Sequence, residues 1–331
     1  MKEAILEGER HFVISEVPEP VLDSNEVLIK VHYCGICGSD LHTYIGGVPT
    51  RYGHKYSGEV VAVGSDVTTL KKGDRVTAEC ALSCGECFWC KRGEIGLCES
   101  FYLYWAQSPC GFATYTKNKY HQLHKLPPMM SYEEAALAEP TAVALHAVNQ
   151  SQTKIGDVVA VLGLGPIGQL VARLTKVSGA RKLFVTEASH SRINLIGDIA
   201  DEIIDINTTN PVDRILELTE GRGVDIVFEC SGAISATQQS LSVARRGGTV
   251  VLAGICLHSI ELLVSTIALK ELTVRGAMIF HSDEFATALN LIAEKKIDVK
   301  PLITAILPLE QINEGFEKAV SGDGGKILIK P

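Results

Sequence analysis

VVAVLGLGPIGQLVARLTKVSG, residues Val158 to Gly179, is the stretch whose reading decides the fold. It opens on an apolar, β-branched run, Val158 to Leu162, with the composition of a buried parallel strand. Gly163, Gly165 and Gly168 follow in the order G-x-G-x-x-G, and a helix-periodic segment continues to Gly179. Each glycine answers a physical need: a tight turn, room for a pyrophosphate against the backbone, and close packing of helix on strand. Pro166 and Ile167 open the helix, where the N–H that proline lacks is not needed. The unpaired N–H groups and positive dipole end of that helix attract phosphate. A second strand, Lys182 to Thr186, ends at Glu187, 19 residues beyond Gly168. A carboxylate there accepts hydrogen bonds from an adenosine ribose and repels a 2′-phosphate, which favours NAD over NADP. Arg192 lies either along the adenosine or on a solvated helix face. A lone G-x-G-x-x-G is weak, a glycine-rich turn being the plain alternative. The strand before it, the helix after it and the acid at the right distance make it a dinucleotide site.

Strands and helices alternate from Val158 to about Gly276, with strand starts near Val158, Lys182, Glu202, Val224, Thr249 and Leu272. Right-handed crossovers between such strands give a doubly wound parallel sheet in an α/β protein. From Met1 to about Leu126 the texture changes to short strands broken by turns, as in HFVISEVP, EVLIKVHY, SGEVVAVG, GDRVTAE, FATYTK and HQLHKLP. That texture predicts an antiparallel barrel or sandwich. Pro127, Pro128 and Ser131 mark a linker before the helical YEEAALAEPTAVALHAVNQ. After Phe280 a helix (Glu284 to Glu294) and a strand (Lys326 to Lys330) remain, too small to fold alone and expected to rejoin the first domain. The expected division is 1–140 with 279–331 against 141–278, two domains that 331 residues can supply with ample cores.

An apolar content of 46% and a charged content of 21% are those of an ordinary globular enzyme. A net charge of −8 argues against nucleic acid and against an anionic membrane surface. Met1 to Arg10 has no apolar signal core, and no apolar run reaches the ~18 residues of a membrane span, so a soluble, cytoplasmic protein is expected.

Ten cysteines in a long chain without an export signal point to metal rather than disulfides. Cys84, Cys87, Cys90 and Cys98 read C-x2-C-x2-C-x7-C on a loop with Gly85, Gly93 and Gly96. Four thiolates from one loop make a closed tetrahedral zinc site that stiffens a lobe. A ferredoxin-type iron–sulfur run opens the same way but continues x3-C-P, whereas here seven residues intervene and Glu99 follows Cys98. A second set is dispersed: Cys37, Ser39, Asp40 and His42 in CGICGSDLH, His54 in YGHKYSGEV, and Glu139 in ALAEPTAVALHAV. One thiolate, one imidazole and one carboxylate with a fourth position open is a catalytic zinc pattern. Asp40 can accept the second ring N–H of His54. Taken singly these residues are as easily packed core; it is the combination with the nucleotide turn that gives them weight.

CGICGSDLH, GH followed by SGEV, the four-cysteine lobe, EPTAVALHAV, VLGLGPIG and DIVFECSG, in that order along nearly the whole chain, resemble the zinc-dependent medium-chain alcohol and polyol dehydrogenases. The branch that looks nearest is that of sorbitol, butanediol and threonine dehydrogenases, which share the EP-x-AVALHAV stretch. The resemblance implies a GroES-like β-barrel catalytic domain, a Rossmann coenzyme domain, and a homodimer or homotetramer. By matching position, Cys37, His54 and Glu139 would surround a catalytic zinc, and Cys84, Cys87, Cys90 and Cys98 a structural one. Ser39 and His42 would carry the proton away, although Ser39 could instead cap a helix starting at Asp40 and His42 could be an exposed helical residue. Two zinc ions per chain and NAD are the cofactors expected, with a small-molecule alcohol as substrate. The expected activity is hydride transfer between a secondary alcohol (polyol, diol or amino alcohol) and NAD. The alternatives are a zinc-free NAD(P)H-dependent reductase on the same fold and a disabled NAD-binding protein.

This sequence departs from that family at Gly53-His54-Lys55, where GHE is usual. An ammonium at that place would repel Zn²⁺. The expectation is that Lys55 turns away to another carboxylate, leaving Cys37, His54, Glu139 and water around the metal. The other outcomes are that it pairs with Glu139 and weakens or empties the site, or that it faces the pocket and binds an anionic substrate. The loop between His42 and His54 is short for the branch, and FHSDEF has His281 where sorbitol dehydrogenases typically have an arginine. Cys34, Cys110, Cys230 and Cys256 are expected to pack as small apolar side chains. Tyr102, Tyr104 and Trp105 could line the pocket or a subunit contact.

Overall fold

A computed structural model of the chain describes residues 1–48, 52–79, 83–101 and 111–331. Cys110, Tyr102, Tyr104, Trp105 and part of the loop between His42 and His54 lie outside the described residues. The contacts divide the chain into two units, Met1–Ala142 with Phe280–Pro331, and Val143–Ile279.

In the first unit β1 (Lys2–Gly8) and β2 (His11–Glu16) form a hairpin. β3 (Glu26–Gly35), β4 (Tyr56–Val63), β5 (Arg75–Ala78), β6 (Tyr115–Lys119) and β7 (Leu123–Lys125) follow as short antiparallel strands. The C-terminal β14 (Ile303–Pro308) and β15 (Lys326–Lys330) complete a seven-stranded sheet of order β14-β15-β3-β4-β5-β7, with β6 on β3. The sequence reading missed β14 and the helix Ile312–Val320. β14 is apolar except for Thr304 and so shows no polar alternation in sequence, and Gly315 interrupts the helical pattern of Ile312, Phe316 and Val320. That glycine is a packing residue, since a Cβ on it would lie 3.1 Å from Ile329 and 3.2 Å from Ile36. Phe316 joins Phe12 (4.7 Å between ring centroids), Tyr44 (4.8 Å) and Phe112 (5.7 Å) in the core of this unit. Cys34 packs there too, whereas Cys230 and Cys256 are only partly buried.

The second unit is a parallel sheet of order β10-β9-β8-β11-β12-β13, built from β8 (Val158–Leu162), β9 (Lys182–Glu187), β10 (Glu202–Asp205), β11 (Val224–Glu229), β12 (Ala244–Leu252) and β13 (Thr273–Gly276). Every residue of β8 is buried, as its unbroken apolar run requires. The strand order reverses between β8 and β11, and ligands of such sheets bind at the carboxyl ends of the strands at that switch. Among the described residues no helix is long and apolar enough to cross a membrane.

Candidate active site and metal centres

At the end of β8 the three glycines differ in what surrounds them. Gly163 has φ +93°, and a Cβ on it would lie 2.7 Å from Ser231 Cβ. A Cβ on Gly168 would lie 1.9 Å from the Gly163 carbonyl oxygen, so the helix Pro166–Val177 can sit this close to the strand only without one. Gly165, the N-cap of that helix, is different: nothing stands nearer its Cβ position than Arg192 Nη1 at 3.9 Å. The space a pyrophosphate needs lies over this residue, before a helix that begins Pro166-Ile167. Arg192 therefore flanks the cradle, with its Nη1 3.8 Å from Glu187 Oε2. The Glu187 carboxylate accepts backbone N–H bonds from Leu164 (2.8 Å), Ala188 (2.7 Å) and Ser189 (3.0 Å), which fix it at the end of β9. Across the switch, Glu229 holds Ser231 through its hydroxyl (2.5 Å) and backbone N–H (2.8 Å). The sequence reading gave Glu229 and Ser231 no role. Their signal is the ECSG turn directly after an apolar strand.

In the cysteine lobe the Sγ atoms of Cys84, Cys87, Cys90 and Cys98 all lie within 4.8 Å of one another. Cys84 Sγ and Cys90 Sγ are 3.8 Å apart. Zn–S bonds of ~2.3 Å directed tetrahedrally put two sulfurs about 3.8 Å apart, so the lobe has the dimensions of a zinc cage. Backbone N–H groups already point at sulfur: Cys84 N–H donates to Cys98 Sγ (3.3 Å) and Cys87 N–H to Cys84 Sγ (3.4 Å). Two single-turn 3₁₀ segments, Cys90–Arg92 and Ile95–Leu97, carry the chain around the cage, with Gly93 at φ +79° between them.

The dispersed set lies within the first unit. β3 ends at Gly35, whose N–H donates to the Lys55 carbonyl (2.8 Å), and Ile36 N–H donates to Ile327 (3.0 Å). Cys37 is the N-cap of the helix Gly38–Gly46, and its N–H donates to Asp40 Oδ2 at 3.0 Å. The cap is thus Cys37 and not Ser39. The Ser39 hydroxyl donates to Cys37 Sγ (3.2 Å) instead. Asp40 also turns Oδ1 towards His54 Nδ1, at 3.5 Å. Gly53, at φ +101°, lets His54 arrive, since a Cβ there would meet Phe112 N at 2.6 Å. His42 is exposed on the same helix, three residues on from Ser39 and so on the same face. His281 caps the helix Ser282–Ala293, its N–H donating to Glu284 (2.7 Å).

Glu139 stands in the first turn of the helix Ala138–Ser151. Ser131 caps the preceding turn, Tyr132–Ala135, which Ser57 and Thr77 tie to the sheet through the carbonyls of Tyr132 (2.6 Å) and Ala135 (3.2 Å). Here the structure corrects the expectation for Lys55. The lysine does not turn to another carboxylate; its ammonium donates to Glu139 Oε2 in a buried ion pair. The physical reason is that both residues are 3% exposed, and a buried charge takes the opposite charge within reach. A second buried ammonium, Lys326 at the start of β15, donates to the Ile36 carbonyl (2.5 Å). Sequence reasoning counted Lys326 only as part of a strand. Its signal was a lone charge opening the apolar ILI run.

These neighbours set the protonation states. Burial pushes the Cys37 thiol up, but Lys55, Lys326 and the Ser39 hydroxyl outweigh it and bring it down to about 7. Burial lowers His54 to about 3 despite Asp40, so its ring is neutral at pH 7 and a donor to a metal. Burial raises Asp40 to about 6 against the pull of His54. Burial, helped by Lys55, lowers Lys326 to about 8. Cys37 and His54 thus have the chemistry of metal donors, while Glu139 is engaged by Lys55.

Comparison with known proteins agrees with both units. Residues 23–128 match the alcohol dehydrogenase GroES-like domain, and residues 166–294 match the zinc-binding dehydrogenase family. A sorbitol dehydrogenase of Halalkalibacterium halodurans is 35% identical, over 98% of this chain and 97% of that protein. The crystal structure of 2R,3R-butanediol dehydrogenase from Bacillus subtilis superposes with a TM-score of 0.91 at 34% identity, covering 100% of this chain and 99% of that one. A Sinorhizobium meliloti protein described as a zinc-binding dehydrogenase, solved bound to NADP, has a TM-score of 0.92 at 29% identity, over 100% of this chain and 99% of its own. With both units matched and the identity spread over the full length, the chain belongs to the zinc-dependent medium-chain alcohol and polyol dehydrogenase family.

Proposed function

We propose that this protein oxidises a secondary alcohol, of the polyol, diol or amino-alcohol class, by transferring its hydride to NAD, and runs the reverse reduction of the ketone. The observation that carries the reading is that Cys37, a neutral His54 and Glu139 all have Lys55 as a neighbour, in a chain that also carries an open phosphate cradle over Gly165. Cys37, His54 and Glu139 would hold a zinc ion, which supplies Lewis acidity towards the alcohol oxygen when bound. Asp40 Oδ1, 3.5 Å from His54 Nδ1, favours the tautomer protonated there, which would leave Nε2 to bind a metal. The Ser39 hydroxyl takes the proton the alcohol releases, and His42, on the same face of the helix, delivers it to solvent. Gly163, Gly165, Pro166, Ile167 and Gly168 seat the pyrophosphate, with Arg192 beside it. Glu187, fixed by three N–H groups, receives the adenosine ribose and disfavours a 2′-phosphate. Cys84, Cys87, Cys90 and Cys98 hold a structural zinc. A homodimer or homotetramer in the cytoplasm completes the reading.

A panel of polyols, diols, amino alcohols and sugar acids, followed by NADH absorbance with NAD and with NADP, tests it. NADH formation from a secondary alcohol, with NAD preferred, is the expected result. NADH binding without oxidation of any member of the panel would contradict it and mark a disabled nucleotide-binding protein.

A further inference from the structure

We infer that Lys55 is a resident cation that competes with the metal for Glu139, so that the zinc of this cluster is held loosely and exchanges while the lobe zinc stays. The inference rests on Cys37, His54 and Glu139 being the metal donors.

The first support is donor count. Among the described residues, the cysteine lobe is the one place where three or more Cys, His or carboxylate donor atoms lie within 4.8 Å of one another. With Glu139 held by Lys55, the cluster offers Cys37 and His54, two protein donors where catalytic zinc sites use three. The second support is charge. The ammonium of Lys55 donates to Glu139 and that of Lys326 to the carbonyl of Ile36, the residue before Cys37, so two cations already stand beside the donors. A divalent ion there adds positive charge where two lysines have already brought it.

The third support is that Lys55 is anchored. Its carbonyl accepts from Gly35, and its Cβ lies 3.7 Å from the Cβ position of Gly35. Metal can take Glu139 Oε2 only by stranding that ammonium away from its counter-ion, and can take the other oxygen only by standing close to a cation on a residue that is 3% exposed. Removing the ammonium reverses the balance, because the Glu139 carboxylate is left buried without its counter-charge and a divalent cation supplies one.

The test is zinc content per chain. Full-length wild type, Lys55→Gln, Lys55→Glu and Lys55→Gln/Glu139→Gln are loaded with zinc, dialysed against a chelator and assayed by elemental analysis. NADH binding serves as the check of folding. Wild type should keep one zinc, whereas Lys55→Gln and Lys55→Glu should keep two, with the second site ~10- to 100-fold tighter than in wild type by chelator competition. The double variant should return to one. Wild type keeping two zinc ions as firmly as Lys55→Gln would overturn the inference and leave the metal assignment standing. If no variant, Lys55→Glu included, takes up a second zinc, the metal assignment fails and the inference with it.

Discussion

The cysteine lobe and the Cys37–His54 cluster both gather metal-donor side chains, and they do so in opposite ways. The lobe draws four sulfurs from 15 consecutive residues, Cys84 to Cys98, with Lys91 and Arg92 exposed on the same stretch. The cluster draws on the end of β3, the start of β4, the helix Ala138–Ser151 and β15, and two ammonium groups come with the donors. A site made from one loop is specified by spacing. A site made from four elements is specified only when every element arrives, and one altered residue can change which partner each donor takes. Lys55 is that residue.

Variants can break or sharpen the contrast. The largest effect is expected for His54→Ala: NADH formation should fall by ~10³-fold or more, because Lewis-acid catalysis contributes several kcal/mol and about 1.4 kcal/mol is tenfold. NADH binding and the lobe zinc should be unchanged in the same preparation. Comparable losses of NADH binding and lobe zinc would show a folding defect instead. Next is Cys90→Ser, which should release the lobe zinc and open Lys91 and Arg92 to trypsin, with the zinc count falling by one. An unchanged count would mean that the four sulfurs do not form a cage.

Much of this was legible in the chain. The parallel sheet followed from one apolar run and three glycines, and the cage from cysteine spacing, because both are local. Glu139 and His54 could be named from their motifs, but Lys55's partner could not. Lys55 stands 84 residues from Glu139, and only folding brings them together. Lys326 was hidden for the same reason, since a lysine at the start of a strand reads as a solvated end until the sheet buries it. The Ser39 alternative failed because Cys37 caps the helix through Asp40, a bond between neighbours that spacing alone does not choose.

The glycine turn offers a smaller test of the same lesson about local motifs. Gly168→Ala should destabilise the protein by roughly 1–3 kcal/mol, because its Cβ meets the Gly163 carbonyl. Gly165→Ala should change stability by less than ~0.5 kcal/mol and weaken NADH binding, because only the ligand needs that space. Equal stability losses in a denaturant titration would contradict the distinction.

The smallest effect is in acidity. In metal-free protein, alkylation of Cys37 should follow a thiolate midpoint of about 7, and Lys55→Gln should move the midpoint up. The folded pKa lies below the ordinary thiol value of 9.0, so the thiolate's contribution to stability is complete above pH 9 and is lost as pH falls through about 7. A midpoint unmoved by Lys55→Gln would show that this ammonium does not act on the thiol.

The most direct measurement is the initial rate of NADH formation from a secondary alcohol in chelator-treated protein that retains its lobe zinc, as zinc is added back. The account predicts no turnover at the start and a rate that rises with added zinc until one further ion per chain is bound. A full rate before any zinc returns would contradict it and place the chemistry in a metal-free reductase on the same fold.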